Sequence, residues 1–268
     1  GGESTAATAR SCEFSSNSYN TQGLSIPNSD AIVIGTNDFC IETWAYKTHS
    51  TSNHHPSIVD FRVAAANEAT AIEWKTDSSD NLYMKTGGTT RITTKIVNNK
   101  WYHLALARNG STTTMDVDGR SVGSWSDSTN YSSILTSFFT SQFDLRCGWR
   151  GKTSNLRITV GEPVYTSSFR PSTEPLTTTS QGVTSSNVKL LCCNNSSASG
   201  STVTPGTLSA TNVTAITDSP FDDPAGFKFG DSKEGIIKTG SYIGNGNDNG
   251  PEINLGWEPQ YILLKNTD

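Results

Sequence analysis

The fold is decided by residues 101–120, WYHLALARNGSTTTMDVDGR. Large apolar side chains alternate with small or polar ones along residues 102–107, which is the period of a half-buried β-strand. Asn109 and Gly110 are then suited to the positive φ angles of a tight hairpin turn. A second alternating run follows and ends in an Asp-Gly turn. The segment therefore predicts an antiparallel β-meander.

Short apolar or alternating runs, separated by turn residues, recur on both sides of the meander. No long amphipathic helix pattern interrupts them. Their spacing predicts an antiparallel β-sandwich or jelly roll. The candidate strands are residues 31–34, 39–46, 57–63, 70–75, 81–85, 91–97, 100–107, 112–117, 143–147, 154–160 and 187–192.

The composition favours a folded β protein with a polar, weakly charged exterior. Charged residues make up 17% of the chain and the formal net charge is −5, which is unlike the high net charge of disordered chains. The sequence contains no cluster of Lys and Arg, so we expect no nucleic-acid partner. It contains no apolar run of about 20 residues, so we expect no membrane insertion. The first residues lack the pattern of a signal peptide.

The sequence contains five cysteines, without the CxxC or Cys/His spacing of a metal site. They fall inside apparent strands, where a free thiol behaves as a small hydrophobic side chain. We therefore expect buried free thiols and assembly in a reducing compartment, rather than a disulfide framework. The cysteines are Cys12, Cys40, Cys147, Cys192 and Cys193.

No residue pattern predicts a catalytic centre. Glycan-cleaving jelly rolls hold two carboxylates across a substrate cleft, but Glu42 and Glu73 stand alone in their candidate strands. Asp116 and Asp118 lie at a hairpin end, where Asp is usually a turn former. We therefore predict no catalytic residues.

No residue pattern predicts a metal site either. His49, His54 and His55 gather in a polar segment, and His103 lies on a candidate strand. No Cys or acidic residue stands beside them at a familiar ligand spacing. We therefore predict a solvated histidine loop, with no metal and no cofactor.

Three aromatic residues in turn-rich segments are the candidate carbohydrate- or partner-binding residues. Trp125 and Tyr131 lie in GSWSDSTNYSS, and Trp149 lies in CGWRGKTS. Exposed aromatic rings can contact sugars or anchor a protein interface. The alternative is that these rings cap the ends of the sandwich core. A carbohydrate site here requires Trp125 and Trp149 to be exposed and coplanar, and their burial would count against it.

The character of the sequence changes after Leu191. Residues 196–220 are rich in Ser and Thr and poor in apolar residues, which predicts a linker or an extended segment lying on a surface. Strand patterns resume in residues 221–268. The strand-like run at 261–265 stands almost at the end of the sequence, so we expect its partner in a further segment or in a neighbouring copy.

Several consecutive segments resemble the laminin G/concanavalin A-like jelly rolls of phage virion proteins, especially those of marine phages. Trp125 departs from the family pattern, which usually has a small residue at that position. Residues 221–268 resemble the start of a domain that follows this jelly roll in large virion proteins. The segments that carry the jelly-roll resemblance are SCEFSSNSYNTQGLSIPNSDAI, DFCIETWAY, KWYHLALARNGSTTTMDVDGR, SNLRITVGEPVYTSSFRPSTEPL and KLLCC.

The resemblance implies an all-β fold: a two-sheet antiparallel jelly-roll sandwich of the laminin G/concanavalin A-like type, plus an incomplete C-terminal β domain. The expected division is a jelly roll over residues 1–195, a Ser/Thr-rich linker over 196–220 and the start of a second β domain over 221–268. The implied function is a non-enzymatic structural protein of a phage exterior appendage, namely a tail fibre, a tail-associated protein or a capsid decoration protein.

The expected partners are copies of the chain itself, as a homo-oligomer, and other virion proteins. The expected location is the virion exterior, after assembly in the host cytoplasm. The first alternative is a carbohydrate-binding adhesin module, viral or cellular, that binds a host surface glycan in an extracellular or cell-surface location. The second is a glycan hydrolase or lyase, which needs a pair of facing carboxylates. A shared fold does not decide among these functions.

Overall fold

The computed structural model describes most of the first 221 residues. The expected second β domain, residues 221–268, lies outside the described residues except for Phe221, and so does the terminal run at 261–265. The described residues are 10–15, 22–27, 30–48, 54–64, 66–133, 136–144 and 146–221.

These residues form strands joined by turns and by three short 3-10 helices. Among them, no helix is long and apolar enough to cross a membrane. The strands are β1 (Ser11–Phe14), β2 (Gly23–Ser25), β3 (Phe39–Lys47), β4 (Ser57–Asp60), β5 (Glu73–Thr76), β6 (Asn81–Thr86), β7 (Thr89–Lys95), β8 (Trp101–Asn109), β9 (Thr112–Val117), β10 (Arg120–Ser126), β11 (Ser137–Phe138), β12 (Gly151–Val160), β13 (Val188–Cys192), β14 (Ser201–Val203), β15 (Ser209–Thr211) and β16 (Thr214–Ile216). The 3-10 helices are Asp30–Ile32, Ser180–Gly182 and Ser185–Asn187.

The strands pair into two antiparallel sheets. The nine-stranded sheet has the order β10-β9-β8-β3-β12-β1-β16, with β13 beside β12 and β14 beside β13. The seven-stranded sheet has the order β15-β2-β11-β4-β5-β6-β7. The two sheets meet in one apolar core, where Nε1 of Trp74 on β5 lies 3.2 Å from Sδ of Met115 on β9. This arrangement confirms the predicted two-sheet antiparallel sandwich.

Strands β8, β9 and β10 form the predicted meander. Leu104 and Leu106 face the core, as the alternation in the sequence requires. At the second turn, Asp118 and Gly119 have φ angles of 51° and 75°, which suit a two-residue hairpin loop. A Cβ atom on Gly119 would lie 2.0 Å from the backbone oxygen of Phe169. This turn therefore packs directly against the long loop that follows β12.

Two of the candidate strands are wrong. Residues 31–34 begin inside a 3-10 turn and continue without strand pairing, although both isoleucines in this segment are fully buried. Residues 143–147 form no strand in the part that the structure describes, because the Arg146 guanidinium folds back onto the Asp144 carboxylate in a turn. In the first segment the sequence pattern reflects side-chain burial without strand pairing. In the second, the carbonyls of Arg146 and Cys147 accept backbone hydrogen bonds from His55 and Ser57 without forming a strand.

Residues 196–220 form an extended segment on the sandwich, which is the second of the two possibilities drawn from the sequence. Strand β14 pairs with β13, β15 with β2 and β16 with β1. Leu208 is 3% exposed and belongs to the core, and Lys152 forms a salt bridge with Asp218. Edge pairing uses backbone N–H and C=O groups, which Ser and Thr supply as well as any apolar residue. The sandwich therefore extends beyond the expected end at residue 195.

All five cysteines are free and buried, which confirms the expectation from the sequence. The Sγ atoms of the adjacent Cys192 and Cys193 are 3.9 Å apart. Burial raises the pKa of the Cys147 thiol to about 11, and the thiolate is the reactive form of cysteine. These thiols therefore behave as small core residues.

We expect Leu208→Ala to lower the free energy of unfolding by about 2–3 kcal/mol, because it removes a buried side chain from the core. Thr207→Ala, which changes the exposed neighbour, should change the stability by less than about 0.5 kcal/mol. Urea denaturation of both variants measures the difference. Equal unfolding midpoints would show that residues 196–220 do not belong to the cooperative unit.

Candidate functional site

Two of the three aromatic residues singled out in the sequence are buried. Tyr131 and Trp149 are both 0% exposed. The Tyr131 hydroxyl donates to the Asp127 carboxylate at 2.9 Å, and the Trp149 ring contacts Phe139 with 6.4 Å between centroids. Their segments fold over the core, as the alternative interpretation has it. Their burial counts against the prediction of these two residues as ligand-binding residues.

Trp125 is half-buried on β10, at one edge of the nine-stranded sheet. It lies opposite Thr113 of β9 and packs partly against the core. Because Trp149 is buried, the two tryptophans cannot form the exposed coplanar platform that a carbohydrate site on these rings requires. A role for Trp125 alone in binding stays a prediction.

The histidine segment is not a solvated loop where the structure describes it. His49 lies outside the described residues. His54 is 1% exposed, and burial, reinforced by the charge of Arg150, lowers its pKa to about 4. Across the described ranges, no group of three or more His, Cys, Asp or Glu residues is placed to hold a metal ion.

A buried charge network lies on the outer face of the nine-stranded sheet. The Glu42 carboxylate accepts a hydrogen bond from Arg157 Nε at 2.8 Å, and its other oxygen is 3.1 Å from His103 Nε2. The Tyr165 hydroxyl donates to it at 2.7 Å, and the Tyr165 ring stacks on Phe169 at 3.5 Å. Burial alone would raise the pKa of Glu42, but the hydrogen bond with His103 and the charge of Arg157 lower it. The loop after β12 closes this network from solvent.

The outer face of the seven-stranded sheet carries an open pocket of about 230 Å³. Its floor is formed where β4, β5 and β6 pair. Trp74 and Met84 point into the core, so the residues beside them in each strand point outward into the pocket. The charged lining residues are Arg62, Glu73, Lys75, Lys85, Asp144 and Arg146, and His55 and Tyr83 also line the pocket.

A closed set of ion pairs forms the pocket floor. Arg62 binds the Asp60 carboxylate through Nε at 2.9 Å and Nη2 at 2.7 Å. Lys75 Nζ lies 2.9 Å from Asp60 Oδ2, 2.9 Å from Glu73 Oε2 and 3.7 Å from Cys147 Sγ. These side chains are almost fully buried. Two neighbouring carboxylates are thus held between two cations.

Strand register brings these side chains together. Glu73 lies opposite Asp60 of β4 and opposite Lys85 of β6, while Lys75 lies opposite Tyr83. Directly opposed side chains on one face have Cβ atoms about 4.5–5.5 Å apart. Glu73 stands alone when only its neighbours along one strand are considered. The usable signal was the alternation of polar or charged residues with apolar ones in β5 and β6.

The electrostatics of the pocket follow from burial and these pairs. Burial alone would raise the pKa of Asp60, but hydrogen bonds from Arg62 and the charge of Lys75 hold it below its ordinary value of 3.8. Burial, together with the charge of Lys75, lowers the pKa of His55. Burial raises the pKa of Tyr83 to about 12. At neutral pH the pocket therefore presents fixed charges, a neutral imidazole and a protonated hydroxyl.

This arrangement suits binding better than acid–base cleavage of a glycan. A glycosidase needs one of its two carboxyl groups to be protonated when the substrate arrives. Asp60 and Glu73 are close neighbours, but Asp60 is held ionised by Arg62 and Lys75. The pair therefore acts as counter-ions for the two buried cations.

The family model described as "Concanavalin A-like lectin/glucanases superfamily" matches residues 18–162. The matched range is more than half of the chain and includes the residues that line the pocket. A search of curated proteins gave no match.

Solved structures share the fold at low sequence identity. A protein from Bacteroides ovatus, described as a candidate carbohydrate binding protein, is 14% identical with a TM-score of 0.52, and the alignment covers 78% of this chain and 60% of that one. A heptameric SAP-like pentraxin from Limulus polyphemus is 14% identical with a TM-score of 0.50, covering 80% of this chain and 97% of that one. This chain thus spans about 60% of the length of the Bacteroides protein. At these identities the likeness shows the fold alone.

We expect Asp60→Asn to lower the free energy of unfolding at pH 7 by about 3 kcal/mol, because it leaves two buried cations short of a carboxylate. The folded-state pKa of Asp60 lies below its ordinary value of 3.8. Its stabilising contribution is therefore complete above pH 3.8 and is lost as the pH falls through the folded-state pKa.

Urea denaturation of wild type and Asp60→Asn from pH 7 to pH 2 measures this effect. The two stabilities should converge in acid, because Asn resembles a protonated Asp. A difference that stays constant over the whole pH range would contradict the ionised state of Asp60.

Proposed function

The chain belongs to the concanavalin A-like lectin/glucanases superfamily, and from this we propose that its sandwich is a non-catalytic carbohydrate-binding module. The proposed ligand site is the pocket on the outer face of the seven-stranded sheet. The Bacteroides ovatus protein with the same fold, described as a candidate carbohydrate binding protein, is consistent with this class of function.

The proposal depends on one observation: an aromatic ring and hydrogen-bonding side chains line this pocket. Tyr83 is half-buried in the lining. Phe143 lies beside the lining rather than in it: it is half-buried, and its ring centroid is 4.9 Å from the guanidinium carbon of the lining residue Arg62. A sugar offers apolar C–H faces that pack on aromatic rings and hydroxyl groups that need donors and acceptors. The pocket supplies both.

The ion pairs at the pocket floor support a non-catalytic role for this pocket. The carboxylates at the pocket floor are already bonded to cations within 3.2 Å. Using one of them as a general acid would require its protonation and the exposure of an unpaired buried cation, which is costly. Binding requires no such change.

We further propose that this module belongs to an exterior appendage of a phage particle. The support is the resemblance of consecutive segments between residues 11 and 193 to phage virion jelly rolls. In this setting the partners would be copies of the chain and other virion proteins, and the ligand would be a host surface glycan. A cellular adhesin, located outside the cell or at its surface, is the alternative setting.

We expect Tyr83→Ala and Phe143→Ala each to weaken glycan binding about tenfold, equivalent to about 1.4 kcal/mol. Tyr46→Ala is the matched control, because Tyr46 is half-buried on β3 of the other sheet. A glycan array followed by titration calorimetry on the best ligand measures the effect.

Trp125→Ala tests the rival site in the same assay and should leave the affinity unchanged. If Trp125→Ala abolished binding while Tyr83→Ala did not, the pocket would not be the site. Failure to bind any glycan would argue against the whole proposal.

We expect antibodies against this chain to label an exterior appendage in electron micrographs of phage particles purified from a culture that produces it. The reason is that a host-binding module must be accessible at the particle surface. Antibodies against a major capsid protein provide the positive control for labelling. Labelling of cell surfaces with no labelling of particles would favour the cellular adhesin.

A further inference from the structure

We propose that the pocket selects an acidic sugar, whose anionic group binds Lys85, with the Tyr83 hydroxyl and the Arg146 guanidinium as further donors. This inference rests on the proposed carbohydrate-binding function. It adds the chemical class of the ligand, a glycan that carries a carboxylate or a sulfate ester.

The first step is the balance of charge in the pocket. Its charged lining has four cations, Arg62, Lys75, Lys85 and Arg146. The facing carboxylates are those of Asp60, Glu73 and Asp144. The pocket therefore carries one cation more than it has carboxylates, although the whole chain has a net charge of −5.

Two of the four cations already have carboxylate partners at short distance. Lys75 Nζ has three contacts, with Asp60, Glu73 and Cys147, and an ammonium group has three donors. Arg62 contacts both Asp60 and Glu73. Neither cation has to recruit a ligand to balance its charge.

Lys85 is the cation in excess. The carboxylate oxygen paired with it, Glu73 Oε1, lies 3.9 Å from Lys85 Nζ, which is longer than a hydrogen bond. The other oxygen of Glu73 is taken by Arg62 and Lys75. The Lys85 side chain is 26% exposed, so its ammonium group is accessible to a ligand in the pocket.

Two further donors line the same pocket. Arg146 uses Nε and Nη2 to bind Asp144, which leaves Nη1 outside these contacts, and its side chain is 56% exposed. Tyr83 stays protonated at neutral pH and lies opposite Lys75 in the strand register. A carboxylate or sulfate accepts several hydrogen bonds, and bonds from charged donors are the stronger kind.

The preference for an acidic sugar follows from the cost of removing water from Lys85 when a neutral sugar binds. A ligand that fills the pocket removes water from Lys85, and a desolvated cation without a partner is costly. A neutral sugar replaces that water with hydroxyl dipoles alone, whereas an acidic sugar supplies a counter-ion. Lys85, whose paired carboxylate oxygen is 3.9 Å away, therefore disfavours neutral ligands as well as favouring acidic ones.

The test uses the full chain and matched pairs of polysaccharides. One pair is polygalacturonate and its carboxyl-reduced form, and the other is dextran sulfate and unmodified dextran. Affinity electrophoresis at several salt concentrations gives the dissociation constants. We expect at least about tenfold tighter binding of an acidic member than of its neutral partner, and weakening as salt screens the charges. The pair whose acidic member binds more tightly shows whether the pocket recognises a carboxylate or a sulfate ester.

Lys85→Met should abolish this preference, whereas the control Lys95→Met, an exposed lysine on β7 of the same sheet, should retain it. Equal affinity of wild type for both members of each pair would overturn the acidic-sugar inference and leave the carbohydrate-binding proposal intact. Binding of no polysaccharide in either pair or on the glycan array would overturn both. The comparison of matched polysaccharides needs no variant, so it decides the inference even if Lys85→Met does not fold.

Discussion

The alternation of Glu73, Trp74 and Lys75 in one short strand is the constraint on which the rest of the structure depends. Trp74 points inward and contacts Met115 of the opposite sheet, so its two neighbours must point outward. A shift of β5 by one residue would bury two charges in the apolar core and expose the indole. Core packing therefore fixes the register of β5, and the register places Glu73 beside both Asp60 and Lys85.

The ion pairs on the pocket floor favour a fixed arrangement more than they favour stability. Desolvating Asp60, Arg62 and Lys75 is costly, and a buried salt bridge often returns little more than this cost. What the network provides is rigidity, because each side chain is held by two or more contacts. In this fixed arrangement, Oε2 of Glu73 stays bonded to Arg62 and Lys75. The arrangement thereby leaves Lys85 without a close partner.

The sequence was sufficient for the features that depend on local patterns. The meander, the two-sheet sandwich and the burial of the cysteines follow from alternation and from turn residues such as Asp118-Gly119. Residues 143–147 do not form the expected strand, although Arg146 and Cys147 accept backbone hydrogen bonds from His55 and Ser57. The sequence left a linker and a surface segment open for residues 196–220, because edge pairing leaves little trace in side-chain composition. It also left open the burial of Tyr131 and Trp149, because aromatic residues in turns can fold inward or face solvent. The pocket depends on pairing between β4, β5 and β6, which an analysis of single strands does not capture.

Both outer faces of the sandwich carry a network of carboxylates and cations. The two faces differ in whether a loop covers that network. On the nine-stranded sheet, Glu42, Arg157 and His103 lie beneath the loop that bears Tyr165 and Phe169. On the seven-stranded sheet, a comparable set of carboxylates and cations borders an open pocket. A closed network satisfies its charges internally, so it contributes to packing. An open one includes a side chain such as Lys85, which is partly exposed and lies 3.9 Å from its carboxylate partner, and this makes the seven-stranded face the one suited to a ligand.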